Sequence, residues 1–194
     1  IPAATQLAAP LEQLALYLDS PELKLDYSAT TPESTIAKDN RSLVAIHPGS
    51  GSASKNWSLE SWAETLENLT GILDVEFLVT SGEAEHETVG DFLAMLEQRS
   101  IPHRHLSNLS LPELGAVFAS VDFYLGHDSG ISHLAASAGA NGLLLFGPTN
   151  PEIWAPVCDR MNHLVSGDRL LSGITVDEVM EKVRSWSSSQ RSRR

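Results

Sequence analysis

One cysteine, Cys158, in 194 residues rules out an internal disulfide and a zinc cluster built on several thiolates. No stretch approaches the roughly 20 consecutive apolar residues of a membrane-spanning helix. Basic residues are few: 13 Lys and Arg against 25 Asp and Glu give a formal net charge of −12. That balance argues against broad nucleic-acid binding, which needs a basic face. It leaves room for one bound phosphate compound, because a site can be locally positive on an acidic protein. Nucleotide signatures are missing too. There is no G-x-x-x-x-G-K-[ST] loop, the turn Gly49-Ser-Gly-Ser-Ala-Ser54 lacks the third glycine of the dinucleotide fingerprint, and no D-x-D pair offers itself to a metal–diphosphate. The expected setting is the cytoplasm, with at most peripheral contact at the inner face of its membrane.

What is present is a regular alternation from residue 42 onward. Short apolar runs at Leu43–Ile46, Val75–Thr80, Pro102–Leu106, Val121–Leu125, Gly142–Phe146 and Asn162–Val165 read as buried strands. Between them lie helical patterns. Ser58 caps one whose Leu59, Trp62, Ala63, Leu66 and Leu69 share a face, an acidic one runs from Glu83 to about Arg99, and Ser110-x-x-Glu113 forms a capping box. Thr175 caps a last helix with an apolar stripe at Val176, Val179, Val183 and Trp186, a stripe partly exposed if it serves an absent domain. Strands and helices in this order predict an α/β fold: a Rossmann-like parallel sheet with helices on both faces. Residues 1–41 differ. Leu11, Leu14, Ala15 and Leu18 suggest a short helix, and the polar text after it reads as a linker. Residues 42–186 form the domain, and the serine run with the basic end, 187–194, reads as a disordered tail.

In such sheets ligands sit at the carboxyl ends of the strands, which picks out three polar loops: Gly49–Lys55, Gly126–Gly130 and Gly147–Asn150. Lys55 is the only lysine in them, placed to pair with a phosphate or else a solvated surface residue. In Gly126-His127-Asp128-Ser129-Gly130, Asp128 or Ser129 is a natural N-cap, Gly130 leaves the backbone open, and the helix start suits an anion. Asp128 has three readings: N-cap (the default), acceptor of sugar hydroxyls, or base. His133, one turn in, reads as a structural donor under the turn. Ser129 lacks the G-x-S-x-G setting of a hydrolase elbow, so that class is set aside. His103 and His105 share one side of a strand with no third ligand in view, so no metal site is expected. The tryptophans read as packing, with Trp57 the one to watch beside Lys55.

Three motifs in order, His47-Pro-Gly-Ser-Gly51 with Lys55-Asn-Trp57, Gly126-His-Asp-Ser-Gly-Ile-Ser-His133 and Phe146-Gly-Pro-Thr-Asn-Pro151, resemble the C-terminal half of the ADP-heptose:lipopolysaccharide heptosyltransferases, glycosyltransferase family 9. The resemblance implies the donor-binding half of a glycosyltransferase-B fold, with residues 1–41 as the interdomain segment. It implies an inverting transfer of heptose from ADP-heptose to a lipopolysaccharide core acceptor, without a metal or other cofactor. Lys55 and Asp128 would serve the chemistry. Ser50, Gly51, Lys55, Glu87 (with Glu85 as its rival for the ribose), Asp128, Ser129, Gly130, His133 and Thr149 would hold the donor. The acceptor, a lipid-linked saccharide, and the base that activates it would belong to a missing N-terminal domain, so this chain is expected to bind donor without transferring sugar alone. Rival readings are a UDP-sugar 2-epimerase-like domain and a binding module with a decayed site.

Overall fold

The computed structural model describes residues 1–17, 19–20, 22–30, 40–83 and 86–191 and, at residues 86–87 and 189–191, the backbone alone. Among the described residues the sheet has six strands, all parallel: β1 (Ser42–Ile46), β2 (Val75–Ser81), β3 (His103–Ser107), β4 (Phe123–His127), β5 (Gly142–Phe146) and β6 (Met161–Val165). Their order across the sheet is β3-β2-β1-β4-β5-β6. From β1 the chain winds toward one edge; from β4 it winds toward the other. The crevice between β1 and β4 is therefore the switch point, with Val44 opposite Phe123 and Ile46 opposite Leu125.

The strands read as unbroken apolar runs because both faces of the sheet are covered. Alternate residues divide between two cores. Val44, Ile46, Phe123, Leu125, Leu143 and Leu145 face one side, under α2 (Leu59–Thr70), α3 (His86–Gln98) and α7 (Val176–Arg191). Leu43, Ala45, Tyr124, Leu144 and Phe146 face the other, under α4 (Leu111–Ser120) and α5 (Gly130–Ser137). Helix starts are fixed by the expected caps. The Ser58 hydroxyl accepts from the Ser61 N–H, and Ser110 with Glu113 closes a reciprocal capping box. Thr175 and Glu178 exchange the same pair of bonds at the head of α7.

Three expectations change. The stripe of α7 is not left for another domain: Val179, Met180 and Val183 are buried against this chain's own core, and Trp186 stacks on Phe123 at 4.4 Å. The serine run expected to be disordered continues α7 to Arg191, with Ser187 and Ser188 hydroxyls bonding back to the Arg184 carbonyl at 2.9 Å; residues 192–194 lie outside the described residues. The first helix comes early. α1 (Ala3–Ala8) passes into a 3-10 stretch, Ala9–Leu14, because Pro10 has no N–H to continue an α-helix. Leu18 falls outside the described residues, and Leu7, Leu14 and Tyr17 are exposed. Beyond it residues 22–27 are anchored. Arg160 donates to Glu22 at 2.7 Å, the Leu25 N–H to the Ser137 carbonyl, and the Tyr27 ring fills the space where Gly115 has no Cβ. A short α6 (Pro151–Trp154) follows β5.

Candidate functional site

Two connections meet over the switch point: the loop from His47 to Ser58 after β1, and the turn His127–Gly130 after β4. In the turn, Ser129 is the N-cap of α5, its hydroxyl accepting from the Ser132 N–H at 3.3 Å. Asp128, for which capping was the default, is released from that task and points elsewhere. Its carboxylate takes the Lys55 ammonium at 2.8 Å, with the lysine side chain 32% exposed and that of Asp128 10%. An ion pair of this half-open kind contributes up to about 1 kcal/mol. The N–H groups of Gly130 and Ile131, in the first turn of α5, have no carbonyl behind them within the helix, and the helix dipole adds partial positive charge there. A Cβ at Gly130 would meet nothing within 4 Å, so the seat is open to an incoming group.

The turn is held from beneath. Ser132, 1% exposed, donates its hydroxyl to the His127 carbonyl at 2.5 Å and accepts from the buried Tyr124 hydroxyl at 3.1 Å. Gly126 is required by this packing: a Cβ there would stand 2.5 Å from the Tyr124 hydroxyl oxygen. His127, fully enclosed, accepts the Trp57 backbone N–H on Nε2 at 2.9 Å. Burial pushes its pKa down to about 3; a Gly49 backbone contact opposes the shift and nearby His47 reinforces it. That Gly49 contact falls short of a formed bond, so Nδ1 is left without a full partner. The ring is neutral at ordinary pH.

Beside the anion seat opens a cavity of about 300 Å³, walled by Leu106, Leu109, Leu114 and Ile131 with His47, Thr80 and Gly82 at its floor and Glu83 at its rim. His47 donates from Nδ1 to the Thr80 hydroxyl, which donates onward to the Ile46 carbonyl.

Lys55, Asp128, Ser129 and Gly130 are thus brought together. Ser50 and Gly51 stand on the same loop as Lys55, where the Ser50 hydroxyl reaches the Asn56 side chain at 2.7 Å. Thr149 sits after β5 with its hydroxyl enclosed and unpartnered. His133 shares its imidazole Nε2 with the Trp154 carbonyl at 3.0 Å, a tie between α5 and α6. Glu87 lies in the first turn of α3 by its backbone, its side chain outside the described residues; Glu85 lies wholly outside them. Trp57 packs, donating its indole N–H to the Ile174 carbonyl. His105 bonds the Ser81 hydroxyl, burial holding its pKa below the usual histidine value with His103 adding to the effect. No group of three or more metal-ligating side chains gathers among the described residues.

Sequence reading missed Glu83 and the apolar cavity wall, since those residues lie on four separate elements. It also missed His127, whose only signal was a histidine ending a strand that is otherwise apolar.

Known proteins resemble this chain in sequence and in fold. The chain is 27% identical over 131 residues to lipooligosaccharide heptosyltransferase 2 of Campylobacter jejuni, covering 66% of this chain and 40% of that protein. It is 34% identical over 109 residues to lipopolysaccharide heptosyltransferase 1 of Pseudomonas aeruginosa, covering 56% of this chain and 29% of that one. Among solved structures, E. coli ADP-heptose LPS heptosyltransferase II superposes with a TM-score of 0.74 at 22% identity, over 90% of this chain and 56% of that one, which establishes the shared glycosyltransferase-B type of fold. This chain therefore spans about half the length of the proteins it resembles, or less. A family model matches residues 2–179, and the chain belongs to glycosyltransferase family 9, the heptosyltransferases.

Proposed function

We propose that this chain is the donor-holding half of an inverting glycosyltransferase that moves heptose from ADP-heptose to a lipopolysaccharide core acceptor. The observation that carries the reading is the Lys55 ammonium set beside the open first turn of α5, next to a cavity of nucleoside size. A solved E. coli relative holds ADP, which makes ADP the first nucleotide to try.

In this reading the donor diphosphate lies between Lys55 and the Gly130 and Ile131 N–H groups, with Ser50, Gly51, Ser129 and Thr149 within the same ring of loops. The base occupies the apolar cavity, and the ribose meets an acidic residue, Glu87 or the rim residue Glu83. Asp128 exchanges its bond from Lys55 for hydroxyls of the sugar. An acceptor oxygen attacks the anomeric carbon from the face opposite the diphosphate. The carbon–oxygen bond to the β-phosphate breaks, its electron pair stays on that oxygen, and Lys55 with the helix start meets the charge as it grows. Charge on the diphosphate is thereby neutralised by the protein, without a divalent metal. The acceptor's proton must go to a base. His127 is enclosed, its Nε2 lone pair is taken by the Trp57 N–H and its pKa is held at about 3. Asp128 is engaged, so in this reading a facing domain supplies both base and acceptor surface.

Calorimetric titration of this chain with ADP, UDP and GDP, repeated with ADP-heptose, tests the reading. ADP binding over the other two, weakened by Lys55→Ala, is the expected result. A preference for UDP would overturn the donor, and turnover of ADP-heptose onto an acceptor by this chain alone would overturn the division of labour.

A further inference from the structure

The charged partners of the site reach each other from opposite sides of one hydrogen bond. Asp128 directly follows His127, and Lys55 comes two residues before Trp57, whose backbone N–H is bound to the His127 ring at 2.9 Å. A backbone N–H only donates, so Nε2 must present its lone pair, and in a neutral ring the proton then sits on Nδ1. Nδ1 faces the Gly49 backbone at the other end of the same loop. The imidazole thus spans the loop from its entrance to its exit. The side chains in between bond within the loop: the Ser50 hydroxyl donates to the Asn56 amide oxygen, and the Ser52 and Ser54 hydroxyls pair. From the other side the His127 carbonyl is fixed to α5 through Ser132. One residue therefore joins the loop that carries the cation to the helix that offers the N–H groups. Trp62 packs edge-on to the imidazole with ring centroids 5.3 Å apart, Trp57 packs on Trp62 in turn at 4.9 Å, and the His127 ring is shut off from water.

We propose that His127 is the positioning residue of the anion site: its imidazole, as the Nδ1-protonated tautomer, pins the Lys55–Trp57 segment to the turn carrying Asp128 and so sets the Lys55 ammonium over the start of α5. This rests on the donor-site reading above and adds to it a residue that touches neither nucleotide nor sugar. Its ring is bonded where movement of the partner backbone shifts Lys55 relative to Asp128.

Two variants separate the roles. His127→Gln extends an amide oxygen to about the reach of Nε2 and keeps an acceptor for Trp57. His127→Leu fills the space and offers none. Titration calorimetry with ADP is expected to find Gln within about threefold of wild type and Leu weakened about tenfold or more, the scale of a charge-assisted bond lost. Circular dichroism and urea unfolding establish that both are folded. A folded Leu variant binding ADP as tightly as wild type would overturn the proposal, since a purely structural residue lowers stability and leaves affinity alone. Long-range 1H–15N spectra of the unliganded wild type read the tautomer directly. A proton on Nδ1, a bare Nε2 and no titration between about pH 5 and 8 are expected; a proton on Nε2 would overturn it even if Leu does not fold. Should wild type itself fail to bind ADP, the nucleotide reading falls. The spectra and the coupling between Lys55→Met and Asp128→Asn in urea unfolding, present in wild type and lost in the Leu background, then decide the positioning role by themselves.

Discussion

The two connections that form the site are built in opposite ways. The turn after β4 is short and fixed from below: Ser129 caps α5, Ser132 ties the His127 carbonyl to Tyr124, and Gly126 leaves no spare volume. The loop after β1 is long, exposed from Gly51 to Ser54, and bonded mostly to itself. Its side-chain bonds to the turn after β4 are the His127–Trp57 bond and the Lys55–Asp128 pair. A rigid seat offering N–H groups, faced by an adaptable arm carrying the cation, suits a ligand whose negative charge must be held both before and after one of its bonds breaks. The seat supplies fixed geometry; the arm supplies the positive charge.

That contrast can be broken from either side. The largest effect is expected from pH acting on the rigid side. His127 has its folded pKa pushed down from 6.5 to about 3, so the unfolded chain binds a proton that the folded chain refuses. Its stabilising contribution is whole above the unfolded value and is lost as pH falls toward 3. From pH 7 to pH 4 the loss from this group is about 3 kcal/mol. Urea unfolding of wild type and His127→Gln across that range is expected to show a flatter dependence in the variant. Next comes Gly126→Ala, which drives a methyl group into the Tyr124 hydroxyl and lowers stability by about 2 kcal/mol, read as a drop in Tm of several degrees.

On the adaptable side stability barely moves and affinity does. Lys55→Ala is expected to change unfolding by less than about 1 kcal/mol while weakening ADP about tenfold or more by calorimetry. Asp128→Asn sharpens the point. It frees Lys55, so ADP binds as well as before or about twofold to threefold better, while an ADP-sugar loses its advantage over ADP. Smallest is Ser50→Ala, which removes a bond inside the loop and is expected to cost ADP affinity less than about threefold, with no change in Tm. A large loss of stability in Lys55→Ala, or unchanged stability in Gly126→Ala, would erase the distinction between seat and arm.

Much of the seat was legible in the sequence because its logic is local. A strand followed by Gly-His-Asp-Ser-Gly and an apolar helical pattern specifies a turn and a cap within a few residues, and Ser58, Ser110 and Thr175 mark helix starts for the same reason. Local rules could not choose between Asp128 and Ser129 as cap, since either side chain suits the position. The choice was made by Lys55, which arrives from another strand and draws the carboxylate away. Likewise the stripe of α7 announced a buried face without saying against what, and Pro10 moved the first helix by removing one donor. The cavity was not legible, because its wall and floor together are assembled from the ends of three strands and two helices.

The sequence by itself determined the alternation of strands and helices, the doubly covered sheet, the helix caps and the three polar loops after the strands, because apolar periodicity and capping act over one or two turns of chain. Tertiary structure alone decided the strand order, and with it the crevice between β1 and β4. Only there do Lys55 and Asp128, and likewise Trp57 and His127, some 70 residues apart in the chain, come within a hydrogen bond. Such pairings depend on which strands lie side by side, and that is settled by the packing of the whole core.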